Sequence, residues 1–403
     1  MPTQTISTLR ARALRCLAAG FAAMTSAVLL AAAPAASSPG IRKLDDVTLY
    51  ADARFHSAFP SIVRRPDGEL LVAFRRAPDR RLLGDEKTSH TDPNSYLVTV
   101  RSRDAGKTWT KEPQLMYAHP YGGSQDPCMV QLRDGTIVCA SYGWAWMPPA
   151  ALPKLPKPNS VVGERYVFLG GYLLRSTDGG HAWSGPLYPP RTQGDNRVDI
   201  YGQPLPAYNR GAMCEGADGR LYWVVAMNAA EAPRRSENHL LVSADKGLTW
   251  SYASAVAVDS KVTFNETSIY ETPKGDLVAF IRTADFNDHV VMARSKNKGQ
   301  SFEPWTDAGF QGHPLHATRL PDNRVLLVYG YRHKPYGIRA RVLNAECTDA
   351  ATAPEVVLRD DGGGTDLGYP WVTMIDAKRA LVVYYFNKEN GPRTIEGTFV
   401  QVE

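Results

Sequence analysis

Six side chains in this chain share one place in a repeat, and most of them are polar. Phe59, Asp126, Arg210, Glu266, His313 (or Pro314, because this copy holds one extra residue) and Tyr369 each open a short segment that runs into a turn. The turns are Asp67-Gly68, Asp134-Gly135, Asp218-Gly219, Lys274-Gly275, Asp322-Asn323 and Ala377-Lys378, each followed by a strongly apolar run. A core strand would not begin with Asp, Arg, Glu or Tyr, because burying such groups unpaired costs several kcal/mol. Equivalent positions that converge around one axis explain them better. They would form a polar funnel able to hold a polar ligand.

The elements that position these residues follow from two interleaved repeats. In the first, a short strand, a two-residue turn and an apolar strand recur six times. Gly and Asn in the turns supply the positive φ that such hairpins need, and the apolar runs suit strands buried on both faces. The second repeat is Ser-x-Asp-x-Gly-x-x-Trp, at Ser102–Trp109, Ser176–Trp183 and Ser243–Trp250, with a decayed copy at Ser295–Phe302. Its Ser and Asp bond back to nearby amides, its Gly turns the chain, and its ring packs beneath. This is an Asp box, so Asp104, Asp178 and Asp245 read as turn scaffolding and not as catalysts. Six such units predict an all-β fold, a six-bladed β-propeller. Residues 45–50 would supply the strand that closes the ring against the last blade. The Pro-rich stretch 147–158 reads as a long loop within the second blade.

Composition narrows the setting. Arg10, Arg12 and Arg15 precede an apolar stretch, and Ala33-Pro34-Ala35 resembles a cleavage site. Residues 1–36 therefore read as a signal peptide, 37–403 as a single propeller domain, and the mature protein as secreted or periplasmic without a membrane span. Loss of the leader takes three arginines and no acids from a formal net charge of +5. The excess left is too small to argue for nucleic acid or an anionic membrane. Cys128, Cys139, Cys214 and Cys347 remain, too few for a disulfide scaffold and without metal-ligand spacing. No metal or cofactor is expected.

The motifs together resemble the sialidase (neuraminidase) superfamily, in its branch with several Asp boxes, over essentially all of the mature chain. Asn265-Glu266-Thr267-Ser268 followed by Arg282 resembles the family's glutamate and the arginine on the next strand. Gly368-Tyr369-Pro370-Trp371 resembles the strand of its nucleophilic tyrosine. Arg332 stands where the family places another arginine of its carboxylate-binding triad. Gln125-Asp126-Pro127 resembles a pocket-lining strand. Pro93-Asn94-Ser95 resembles the end of the loop that carries the acid.

The resemblance implies a retaining exo-glycosidase with a glycan substrate. A sugar bearing a carboxylate on its anomeric carbon would repel a carboxylate nucleophile, whereas a phenol starts neutral. Tyr369 would attack, Glu266 would take its proton, and Arg282 and Arg332 would hold the substrate carboxylate. Asp126, Arg210, His313 and Phe59 would line the substrate. Counting back from Pro93, the family's acid falls near His90, with Asp92 two residues on; Asp92 is the preferred acid, because partial burial would lift its carboxyl so that it can protonate a leaving oxygen, and His90 is its rival.

Two departures bear on the sugar. The family's first-blade Arg-Ile-Pro is Ala58-Phe59-Pro60 here, leaving Arg54, Arg75 and Arg76 as the nearby basic residues, and the acid loop is irregular. A related acidic sugar is therefore as well supported as sialic acid. Two alternatives stay open: a propeller lyase that uses His90, His56, Tyr369 and Arg282 on uronates, and a non-catalytic carbohydrate-binding propeller. Tyr142-Gly143-Trp144-Ala145-Trp146 could offer rings for sugars to stack on.

Overall fold

Five of the six strand-turn-strand repeats close with the same hydrogen bonds. Gly68 donates its N–H to the Arg65 carbonyl at 2.9 Å, and Arg65 donates to the Glu69 carbonyl at 2.8 Å. The loop is therefore three residues long, not two, and ends on a left-handed bulge residue. Only that residue needs positive φ, and Gly68 has +88°. Gly135, Gly219, Gly275 and Asn323 repeat the arrangement. Asp67 stiffens its turn by accepting the Glu69 N–H at 3.0 Å. In the sixth repeat the Asp376 carboxylate accepts the Lys378 and Arg379 N–H groups, both at 2.8 Å.

The computed structural model describes residues 40–85, 91–162, 165–228, 235–389 and 391–403. They belong to one compact unit, Ser38–Glu403. The proposed leader 1–36 and His90 lie outside the described residues. Six antiparallel sheets form a six-bladed propeller. Blade 1 runs Phe55–Arg64, Leu70–Pro78, Tyr96–Ser102 and Gln114–Tyr117. Blade 2 uses Gly123–Gln131, Ile137–Trp146, Tyr166–Ser176 and Ser184–Leu187, and blade 3 Cys214–Glu215, Leu221–Asn228, Ser236–Ser243 and Ser251–Ala257. Blade 4 uses Phe264–Glu271, Leu277–Thr283, His289–Ser295 and Thr306–Gln311, and blade 5 Leu315–Arg319, Val325–Tyr331, Gly337–Leu343 and Glu355–Arg359. Blade 6 consists of Gly368–Met374, Arg379–Phe386 and Thr394–Val402, and Ile41–Tyr50 completes it by pairing antiparallel with Thr394–Val402. The ring is closed by the N-terminal strand, as the sequence predicts.

Second strands carry the densest apolar burial, as in Val325–Tyr329 and Ala380–Phe386. The Asp boxes form the turns between third and fourth strands. In the first, Asp104 Oδ1 accepts from Ser102 Oγ and the Thr108 N–H at 2.8 and 2.9 Å, and Trp109 Nε1 donates to the Gly106 carbonyl. A fifth turn of this kind, capped by Asn344 on the Glu346 and Thr348 N–H groups, has no legible motif. Cys128, Cys139 and Cys347 are buried free thiols, and Cys214 is half-buried.

Four of the six first strands, those of blades 1, 2, 4 and 6, share a distortion that shapes the funnel. Their pairing register jumps between Ala58 and Ser61, Gln125 and Cys128, Phe264 and Thr267, and Gly368 and Trp371. Phe59, Asp126, Glu266 and Tyr369 sit inside these bulges, while Arg210 and His313 precede the first strands of their blades. Phe59, Asp126 and Tyr369 take φ of +60°, +25° and +54°, where non-glycine residues are strained. A bulge re-aims a side chain that the regular pleat would direct elsewhere.

Candidate active site

Tyr369 and Glu266 come from blades 6 and 4, with blade 5 between them, and meet. The phenol donates to Glu266 Oε1 at 2.6 Å. Arg282, on the second strand of blade 4, donates through Nη1 to Glu266 Oε2 at 2.5 Å and to the Tyr369 oxygen at 3.4 Å. Burial works to raise the Glu266 pKa, but the Arg282 charge, the Tyr369 hydrogen bond and Arg332 outweigh it and bring it down to about 2. Burial, and then the Glu266 charge, push the Tyr369 phenol well above its usual value. At neutral pH the pair is an ionised carboxylate accepting from a neutral phenol.

Two more guanidinium groups face Tyr369. The Arg210 Cζ lies 4.4 Å from the ring centroid and the Arg332 Cζ 5.1 Å from it. Arg210 is held from behind by the Pro60 carbonyl at 3.2 Å and stands 3.8 Å from Asp126 Oδ2. Arg332 donates to the Leu367 carbonyl and, at 3.3 Å, to the Tyr385 hydroxyl. Blades 3, 4 and 5 thus each bring one arginine to the tyrosine of blade 6. Arg282 Nε is buried and has no hydrogen-bond partner among the described residues.

Phe59 does not present a surface to a ligand. It is 2 % exposed and packs edge-on against Tyr369 and Tyr385, with centroids 4.8 and 5.1 Å away. Of the three basic residues near it in sequence, Arg54 is exposed and pairs with Asp52, and Arg76 covers the Phe55 ring at 3.6 Å. Arg75 alone of the three turns inward. It is fully buried, 5.9 Å from the Phe59 centroid, with Nη1 3.3 Å from His56 Nδ1. The other His56 nitrogen meets Asp366, which also accepts from Tyr385 and Arg393 at 3.0 and 2.7 Å. His313 is buried near the arginines, with Nδ1 3.9 Å from Asp288 Oδ1. Burial, then the charges of Arg282 and Arg332, lower its pKa to about 2, so it is neutral.

Asp92 departs from expectation. It is 2 % exposed, yet its pKa is lowered, not lifted. Burial is opposed by a two-pronged pair with Arg80, at 2.7 and 2.9 Å, and by the Asn94 N–H at 2.8 Å. A carboxylate held ionised in this way is poorly suited to donate a proton.

A cavity of about 340 Å³ opens beside the pair, with Asp126, Arg210 and Glu266 on its wall. Its aromatic side is Tyr142, Trp144, Phe168 and Tyr208, with the Tyr142 and Tyr208 centroids 4.3 Å apart. Arg197 and Asp195, which pair at 2.9 Å, line it from the loop before blade 3. Among the described residues no cluster of His, Cys, Asp and Glu could hold a metal ion, and no helix is long and apolar enough to cross a membrane.

The family model for the BNR repeat-like domain matches residues 158–379, more than half of the chain. The chain belongs to the BNR repeat-like domain family. As a BNR-repeat propeller it is 60% identical, with a TM-score of 0.89, to a protein of unknown function from Dyadobacter fermentans DSM 18053, over 91% of this chain and 100% of that one. Sialidases share the fold at low identity. Hadza microbial sialidase Hz136 is 19% identical with a TM-score of 0.59, over 85% of this chain and 65% of that one. The NanB sialidase of Streptococcus pneumoniae is 13% identical with a TM-score of 0.59, over 91% and 71%. No curated protein matches the chain. The BNR-repeat propeller here is therefore sialidase-like in architecture. Asp366, Tyr385 and Arg393 had no signal in the sequence beyond their closeness to Tyr369, because their partners come from separate loops and strands.

Proposed function

We propose that this protein is an exported retaining glycoside hydrolase that removes a terminal acidic sugar from glycans. The observation that carries this reading is the 2.6 Å hydrogen bond from Tyr369 to an ionised Glu266 beside three arginines. Tyr369 Oη attacks the anomeric carbon as the glycosidic C–O bond breaks, and the phenol proton passes to Glu266. Arg282, Arg332 and Arg210 favour the negative charge that builds on the phenol oxygen. The departing oxygen takes a proton from an acid, a role we assign to His90, which the sequence alone suggests, rather than to Asp92, whose pKa is lowered. Water, giving up a proton to the conjugate base of that acid, then attacks the same carbon, the tyrosyl C–O bond breaks, and Glu266 returns its proton to the phenol oxygen. Two inversions at one carbon leave its configuration unchanged.

Arg282 and Arg332 are the ligands we assign to the substrate carboxylate, and Asp126 and Arg210 the cavity wall against which the rest of the sugar lies. A cavity of about 340 Å³ suits one sugar residue rather than a chain. Residues 1–36 act as the export signal in this reading, and 37–403 as the mature domain. The test is a panel of aryl glycosides of acidic and neutral sugars, with the first-formed product anomer followed by NMR. Hydrolysis of an acidic member with retention supports the reading. An unsaturated product absorbing in the near UV would make it a lyase, and ligand binding without turnover a lectin.

A further inference from the structure

Three tyrosines stand together on the mouth face, outside the cavity, and the proposed catalytic cycle does not use them. Tyr121, Tyr188 and Tyr201 are 57%, 60% and 60% exposed. The rings of Tyr121 and Tyr201 lie 5.7 Å apart at 71°, edge to face. Such exposure is unfavourable for large rings unless they are used, and clustered exposed aromatics mark binding surfaces.

The backbones of Tyr121 and Tyr201 are fixed by hydrogen bonds. Asp199 Oδ1 accepts the Tyr201 and Gln203 N–H groups at 2.8 and 2.9 Å, and the Asp199 carbonyl accepts from Gly202. On the other side the Tyr121 N–H donates to His119 Nδ1 at 3.2 Å, and the His119 ring packs on Tyr172. The segments that carry Tyr121 and Tyr201 are thus held in place before any ligand arrives, and the two rings pack on each other, which limits the entropy lost on binding.

The patch is carried by segments that adjoin the cavity wall. Tyr121 is followed by Gly122, so close to Trp144 that an added Cβ would lie 2.0 Å from the Trp144 carbonyl oxygen. Trp144 lines the cavity. Tyr188 and Tyr201 belong to the segment that also supplies Asp195 and Arg197 to the cavity wall. A chain leaving the cavity over this rim would meet the three rings. Tyrosine suits a sugar face, because its ring covers C–H groups and its hydroxyl bonds to theirs.

We infer that Tyr121, Tyr188 and Tyr201 form a second carbohydrate site, which holds the neutral sugars of the glycan beyond the terminal residue removed in the cavity. The inference rests on the proposed function for the identity of the occupant, but its test reads binding alone. The probe is a glycoprotein stripped of its terminal acidic sugars, cast into native gels. The protein should be retarded. Replacement of Tyr121 or Tyr201 by Ala should weaken the affinity about two- to tenfold per ring, with unchanged melting curves, and Phe should retain most of it. Kinetics give a second reading: Tyr121→Ala should raise KM on an oligosaccharide and leave it unchanged on an aryl glycoside of the same terminal sugar. Equal retardation of wild type and the Ala variants would overturn the site even if hydrolysis is found. So would a change in sedimentation without a change in retardation, which would make the patch a contact between copies. Loss of the proposed hydrolysis with retardation intact would leave the platform and remove only the enzyme.

Discussion

The Tyr369 hydroxyl and the Glu266 carboxylate lie 2.6 Å apart although 103 residues separate them in the chain. Their contact depends on bulges in the first strands of two blades, since the pairing register jumps at both residues. Arg282 then bridges the two oxygen-bearing groups, so that the acceptor is ionised before substrate arrives.

Glu266→Gln keeps the shape and one acceptor but cannot take a proton. Turnover on an aryl glycoside should fall by about 10² to 10⁴, the range typical of positioned acid–base groups. Steady-state kinetics check this, and near-normal turnover would remove Glu266 from the role of base.

The same pair should govern stability in acid. The folded Glu266 pKa is depressed from 4.5 to about 2, so its contribution is present above 4.5 and lost as pH falls toward 2. His313 acts in a higher window. Its folded pKa lies far below the ordinary 6.5, so the unfolded chain binds the extra proton and stability falls as pH drops below 6.5. Melting temperatures of His313→Gln should therefore depend less on pH between 6.5 and 4.5 than those of wild type. A wild-type slope in the variant would show that His313 is charged in the folded protein.

Arg332→Met removes a cation near Tyr369 while leaving its apolar stem. Charge-assisted hydrogen bonds contribute about 1.5–3 kcal/mol, so kcat/KM on an acidic substrate should fall roughly ten- to a hundredfold. Affinity for a neutral analogue of the same sugar should change little. Equal losses on both would move the anion site elsewhere.

Asp92→Asn should act on stability and not on leaving-group chemistry. Its two-pronged pair with Arg80 is nearly closed to solvent on the Asp side, and its loss should cost about 1–3 kcal/mol. Any loss of activity should be the same on natural and nitrophenyl glycosides. A selective loss on natural glycosides would restore Asp92 as the acid.

Much of this architecture is legible in the sequence because it repeats. The turns fix the register of the first strands, and the register alone predicts that Glu266 and Tyr369 occupy equivalent places. The Asp boxes fix the outer hairpins by the same logic. Features without a repeat are not legible. Arg80 and Asp92 lie twelve residues apart between the second and third strands of blade 1, and nothing in their spacing announces a pair. Arg75 turns inward while Arg76 turns out, a choice set by strand pleat after the bulge at Phe59. The three-residue length of the turns was hidden because Asp-Gly also serves two-residue hairpins. Phe59 is legible as a funnel position, but its fate as packing beneath Tyr369 depends on the rings of Tyr369 and Tyr385, which come from blade 6.

The most direct test is turnover by Tyr369→Phe on the best aryl glycoside, measured beside its melting temperature. The variant keeps the ring against Phe59 and removes the phenol oxygen alone. Activity should fall by several orders of magnitude while the melting temperature moves by a few degrees at most. Turnover within tenfold of wild type would contradict the assignment of Tyr369 as nucleophile, and with it the mechanism proposed for this propeller.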